Sequence, residues 1–371
     1  MIRRPLALVL SGGGAKGAYA VGAVEVLLER LPPPDLVCGS SVGALVAAML
    51  AEGVKQGDPL AFVREQAAAW LAESPRLHLN RRGALHAFLR HGPRWRTLGE
   101  IPSVYTDGFL RAAVDRFLPP GRAFADYRRT RLLVTASNLE TGRVKVFDER
   151  SPVPVREALL ASLSYPILFP SRYLQGAPLV DGGLLDNTPL AHVLRRGAAT
   201  VVVISLRPKE GPAVPSGPDA FNGAVEVAQR ILSLLLEERM YRDLRRAVET
   251  NELLALLEAY PNLPRGFRQR LLELLRGGGL EPHRRYVQLV EIGPREALEP
   301  PGTFGFRQRE ALQAAMERGR QDALGVLGPR HTSTSRGEAP SQTTTREKGA
   351  SPREPAPRCG PHLAGPRHGP A

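Results

Sequence analysis

The chain has 371 residues, 43% of them hydrophobic, enough to bury the core of a large α/β domain without staples from disulfides or metals. Its two cysteines, Cys38 and Cys359, lie far apart, which excludes a disulfide scaffold and any C-x-x-C redox or metal pair. A net charge of +13 invites a nucleic-acid reading, but only five of the fifty basic residues are lysine, so arginine-rich composition explains the charge as well as any function does. Nucleic acid is therefore not expected as a partner, whereas peripheral contact with an anionic membrane is. Met1-Ile2-Arg3-Arg4 looks like the start of a signal peptide, yet the apolar run behind it, Leu6 to Leu10, is too short and ends in glycines. Nor does any apolar stretch approach the roughly 18 residues that span a bilayer. The expectation is a cytoplasmic protein, membrane-associated only at the surface.

In chain order, apolar runs of strand length alternate with helical periodicity, the pattern of an α/β fold. Strands are predicted at Leu6–Ser11, Leu36–Gly39, Arg131–Ser137, Val144–Phe147, Thr200–Leu206 and Tyr286–Glu291. Helices are predicted at Lys16–Arg30, Val42–Ala51, Gly108–Phe117, Val155–Ser162, Phe221–Arg246 and Gln308–Leu327. Two helical insertions interrupt the alternation. Gly53–Thr106, with Trp70, Trp95, His78, His86 and His91, suits a lid over a cleft and an extra packing layer equally well. Ala247–His283 reads as leucine-rich amphipathic helices packed on the core. One domain is expected over residues 1–328, followed by a disordered tail, 329–371, in which Leu363 is the sole large aliphatic residue.

The first motif runs Ser11-Gly12-Gly13-Gly14-Ala15-Lys16-Gly17, between the first strand and the first helix. Such a turn aims backbone N–H groups at an approaching anion, aided by the helix dipole. Gly12, Gly14 and Gly17 match G-x-G-x-x-G, but a dinucleotide site also wants an acidic residue closing the second strand, and that strand ends Cys38-Gly39-Ser40-Ser41. The G-K-[ST] of a phosphate-binding P-loop is absent. A third reading of the loop is an oxyanion hole, and its test lies in the turn after the second strand.

Gly39-Ser40-Ser41-Val42-Gly43 matches G-x-S-x-G between a strand and a helix, where a sharp elbow exposes the central serine. Capping of the helix by Ser40 or Ser41 is the plainer explanation for the same residues. A serine nucleophile needs a base within reach. His192 is the sole histidine in the presumed core and reads as a solvated helix residue, which leaves a Ser-His-Asp triad with little support. A partly desolvated carboxylate can do the work instead, and Asp181, at the end of Leu179-Val180-Asp181-Gly182-Gly183, is the candidate. No His, Cys, Asp or Glu cluster has metal-ligand spacing, and no cofactor is expected.

In this order, Gly12–Gly17, Gly39–Gly43 and Asp181-Gly182-Gly183 resemble the three signatures of patatin-like phospholipases. Ala161–Pro170 and Asn187-Thr188-Pro189 resemble the segments that flank the aspartate in that family. The resemblance implies a three-layer α/β sandwich with a mainly parallel central sheet, and a serine lipid acyl hydrolase acting on phospholipid or another acyl ester. It further implies Ser41 as nucleophile, Asp181 as base and then acid, and Gly12, Gly13 and Gly14 as oxyanion donors. Lys16 stands where the family has Arg or Lys, and Gly17, Gly39, Gly43, Gly182 and Gly183 complete the signatures. A small-ester or thioester hydrolase and a non-catalytic lipid-binding regulator are the alternative readings on the same fold.

Overall fold

The computed structural model describes residues 2–72, 78–91, 103–208, 286–298 and 308–328, with further positions scattered between 227 and 273. In chain order its elements are β1 (Leu6–Leu10), α1 (Gly17–Arg30), β2 (Leu36–Ser40), α2 (Val42–Gln56), α3 (Pro59–Ala72), α4 (Arg81–His91), α5 (Gly108–Phe117), β3 (Arg131–Asn138), β4 (Arg143–Phe147), α6 (Val155–Ser162), β5 (Arg172–Leu174), β6 (Ala177–Asp181), α7 (Leu190–Arg195), β7 (Thr200–Ile204), β8 (Gln288–Ile292) and α8 (Arg309–Leu327).

All five residues of β1 are apolar and buried because the strand is covered on both faces. Leu6, Leu8 and Leu10 enter one core, and Ala7 and Val9 enter the other. In β7 the same alternation sends Val202 and Ile204 to the first core and Val201 and Val203 to the second. Helices α1, α2, α3, α5, α6 and α8 cover the first face, while α7 and Ala247 lie against the second. The result is the expected three-layer α/β sandwich. Its sheet runs β5-β6-β3-β2-β1-β7-β8, with β4 also paired to β3. The neighbours from β3 across to β8 are parallel, and β4, β5 and β6 add the antiparallel pairings.

One feature of the register positions the site. Along one edge of β3, β2 pairs in parallel up to Ser40 opposite Thr135, and β4 takes the other edge. Antiparallel β6 then occupies the β2 edge past the end of β2, with Asp181 opposite Ala136. The end of β6 and the end of β2 thus meet head to head, one step apart along β3.

The six predicted strands are present with ends moved by about two residues at most, and α2 continues to Gln56, beyond the predicted Ala51. The hairpin β5–β6 was not predicted as strands. Its halves are short, Pro178 interrupts β6, and positive φ at Gln175 (50°) and Gly176 (76°) turns the chain between them. The first insertion divides in two. Residues 53–72 belong to the packed body, since α2 runs past Gly53 and α3 buries Val63, Ala67 and Trp70, the last stacked on Phe117 at 5.4 Å. Helix α4 stands exposed instead. The predicted helix Phe221–Arg246 falls almost wholly outside the described residues, as does the predicted disordered tail.

Candidate active site

Leaving β1, the chain is held to the end of β7. Ser11 N donates to Ile204 O at 3.1 Å, and Leu206 N donates to Ser11 Oγ at 2.9 Å. Gly12 N–H is shared between Asn187 O (3.2 Å) and Asn187 Oδ1 (3.1 Å), while Asn187 Nδ2 donates to Gly12 O at 3.4 Å. Gly12 is therefore engaged, and of the three predicted oxyanion donors only Gly13 and Gly14 have N–H groups without an acceptor among the described residues. Gly14 has φ 59°, a left-handed conformation that glycine adopts without strain, and opens a short 3-10 turn, Gly14–Lys16. Lys16 is half-buried in that turn and its N donates to Gly13 O. Gly17 begins α1 hard against Val42 at the start of α2.

Ser41 lies between β2 and α2 with φ 53° and ψ −129°, a conformation that costs a non-glycine residue about 1–3 kcal/mol. Two glycines permit this elbow. A Cβ on Gly39 would lie 2.3 Å from Gly43 O, and one on Gly43 would lie 2.4 Å from Leu10 O. A Cβ on Gly12 would come within 2.9 Å of Ser41 Cβ, so the glycine loop borders the serine directly. The strained residue is pinned by a hydrogen bond from Ser41 N to Ser162 Oγ (2.9 Å), a buried hydroxyl at the end of α6.

Asp181 closes β6, buried, at the place the β3 register provides. Its N donates to Ser164 O (2.9 Å), and its Oδ1 accepts from Gly183 N (2.8 Å). The Ser41 hydroxyl, 140 positions away in sequence, donates to Asp181 Oδ2 at 2.6 Å. Gly182 lets β6 pass close to β3, since a Cβ there would lie 2.3 Å from Thr135 O. Burial pushes the Asp181 carboxyl up to about 7, against the opposing pull of the Ser41 and Gly183 hydrogen bonds. This is a carboxylate whose proton affinity suits exchange near neutral pH, in contact with a hydroxyl and beside unused backbone N–H groups.

The structure thus brings together Ser41, Asp181 and the Gly12–Gly14 loop. His192 stays apart: its Nε2 faces Asp186 Oδ2 at 3.2 Å, and its helix, α7, packs into the opposite core through Leu190, Val193 and Leu194. Two supporting residues escape single-sequence reasoning. Ser162 and Asn187 lie in the segments that flank Asp181, and their partners lie 121 and 175 positions away, a relation that no local pattern encodes.

A family model described as patatin-like phospholipase matches residues 8–194. The chain is similar to the uncharacterized protein YqhO of Bacillus subtilis, 29% identical over 217 residues that cover 54% of this chain and 71% of YqhO. It is also similar to the lysophospholipase nte1 of Emericella nidulans, 26% identical over 232 residues covering 61% of this chain but 13% of that protein. Among solved structures, VipD from Legionella pneumophila aligns with 16% identity and a TM-score of 0.37, over 88% of this chain and 67% of that one.

Proposed function

This chain belongs to the patatin-like phospholipase family, and from that premise we propose that it is a serine acyl hydrolase of phospholipid or lysophospholipid esters working through a Ser41–Asp181 dyad. The observation that carries the proposal is the 2.6 Å hydrogen bond from the Ser41 hydroxyl to a buried carboxylate. A helix cap would instead direct the serine oxygen at an N–H of its own helix, and Ser41 makes no such bond. A relative named a lysophospholipase supports lipid esters as the substrate class.

In the proposed cycle Asp181 accepts the Ser41 proton as Ser41 Oγ attacks the ester carbonyl carbon. The carbonyl oxygen becomes anionic and is stabilised by the N–H groups of Gly13 and Gly14, with help from the α2 dipole. Collapse of this intermediate breaks the bond to the alcohol, which leaves with the proton from Asp181. Water then attacks the acyl-serine, giving its proton to Asp181 and releasing the fatty acid as Ser41 is reprotonated.

Ser41→Ala is expected to lower turnover of both p-nitrophenyl butyrate and lysophosphatidylcholine by on the order of 10⁴-fold or more, with an unchanged fold by circular dichroism. Turnover near the wild-type rate would remove Ser41 from the chemistry. Asn187 is a positioning residue in this scheme, because its side-chain amide holds both the N–H and the carbonyl of Gly12. Asn187→Ala is expected to lower kcat about tenfold, equivalent to roughly one hydrogen bond, while KM and the pH profile stay as in wild type. A shifted pH profile would place Asn187 with Asp181 instead.

A further inference from the structure

Helix α4 gathers exposed apolar side chains and exposed arginines on one short element. Leu85, Phe88 and Leu89 share one face at helical spacing and are 57%, 48% and 74% exposed. Arg81, Arg82 and Arg90 are exposed on the same helix, and none has a carboxylate partner among the described residues. Residues 78–91 contain no Asp or Glu at all. Some exposed arginines elsewhere are paired, as in Arg64–Glu29, Arg111–Asp107 and Arg245–Glu249, whereas α4 carries three with no carboxylate anywhere on the helix. An apolar stripe bordered by unneutralised cations matches an anionic lipid surface, with acyl chains for the leucines and headgroup phosphates for the arginines.

The helix is also connected to the dyad by backbone hydrogen bonds. Thr106 N donates to His78 O and Asn80 N to Val104 O, which ties the start of α4 to residues 104–106. Val104 N and Tyr105 N in turn donate to Ile167 O and Leu168 O. Residues 167–168 lie on the short loop that begins at Ser162, the partner of Ser41 N, and passes Ser164, the partner of Asp181 N. Ile167 is itself 55% exposed, with φ 72°, on the segment that is hydrogen-bonded to Val104.

We propose that α4, with Leu79 and Ile167 beside it, is the docking face that seats this protein on anionic membranes, so that lipid esters enter from the surface on which α4 rests. The proposal rests on the hydrolase reading for its purpose, and its test reads binding separately from turnover. The Ser41→Ala protein, which should not consume the lipid, is sedimented with vesicles of phosphatidylcholine alone and of phosphatidylcholine with roughly one quarter phosphatidylglycerol. Three cations at roughly fivefold each predict about 100-fold stronger partition onto the anionic vesicles, weakening as salt is added. Arg81→Gln/Arg82→Gln/Arg90→Gln should erase that preference. Leu85→Ser/Phe88→Ser/Leu89→Ser should weaken binding to both vesicle types by more than about tenfold. In a wild-type Ser41 background, both triple variants should hydrolyse soluble p-nitrophenyl butyrate within about twofold of the parent, which also confirms their fold.

Equal partition onto neutral and anionic vesicles, or triple variants that bind as the parent does, would overturn the proposal. So would a dimer in buffer that the Leu/Phe variant dissolves, which would assign the face to a second copy of the chain. If wild-type protein fails to hydrolyse the soluble ester, the hydrolase reading falls while the binding result stands on its own.

Discussion

Asp181→Asn is expected to do two opposite things at once: to lower kcat/KM for any acyl ester by about 10³- to 10⁴-fold, and to raise the melting temperature at pH 8. The first follows because an amide cannot take the Ser41 proton. Asparagine has the shape to keep the neighbouring contacts, accepting from Gly183 N through Oδ1 while its amide nitrogen faces Ser41 Oγ, so the fold should persist. The second follows from the raised carboxyl. With an ordinary value of 3.8 in the unfolded chain and about 7 when folded, the native state binds more protons than the unfolded state between those limits. Stability contributed by this group is therefore fully present below about pH 4 and is lost as pH rises through 7. Asparagine removes the cost of burying the charge, on the order of a few kcal/mol, and should raise the melting temperature at pH 8 by roughly 5 °C or more. At pH 4 the two proteins should melt together. A variant that is inactive and also less stable at pH 8 would mean that Asp181 serves the fold more than the chemistry.

Gly43→Ala is expected to destabilise the protein by about 3 kcal/mol and to lower activity about 100-fold. Helix propensity alone predicts the reverse, a gain of nearly 1 kcal/mol for alanine inside a helix. Sterics decide the sign: the added carbon would lie 2.4 Å from Leu10 O and 2.6 Å from Ser11 O, both backbone atoms at the end of β1 that cannot swing aside. Relief requires α2 to back away from the sheet, which carries Ser41 out of reach of Asp181. Gly325→Ala in α8 is the control, since nothing lies within 4 Å of its added carbon and propensity should win there. Thermal melts and ester turnover of the two variants measure the contrast, and equal behaviour would show that the elbow tolerates a side chain.

Much of the frame is legible in the sequence for simple reasons. Strands buried on both faces are largely apolar, so β1, Leu36-Val37-Cys38 of β2 and Val201–Ile204 of β7 announce themselves. The elbow is legible because close backbone contact admits only glycine at Gly39 and Gly43. Asp181 is far less so. Asp-Gly-Gly describes any turn, and what makes this aspartate different is that β6 extends the edge of β3 where β2 stops, a pairing between segments remote in the chain. The same holds for Ser162 and Asn187, whose side chains act through tertiary contacts. The Gly12 donor illustrates a further limit: spacing marks a loop with N–H groups at a helix start, but only the fold shows that one of them is already satisfied by Asn187.

In the proposed dyad a lone carboxylate activates Ser41. The rate at which a fluorophosphonate labels Ser41, followed across pH in wild type, His192→Ala and Asp181→Asn, tests it most directly. Labelling should rise with pH to a plateau with a midpoint near 7, follow the same curve in His192→Ala, and be almost absent at any pH in Asp181→Asn. Labelling that survives in Asp181→Asn, or a midpoint that disappears with His192, would contradict it.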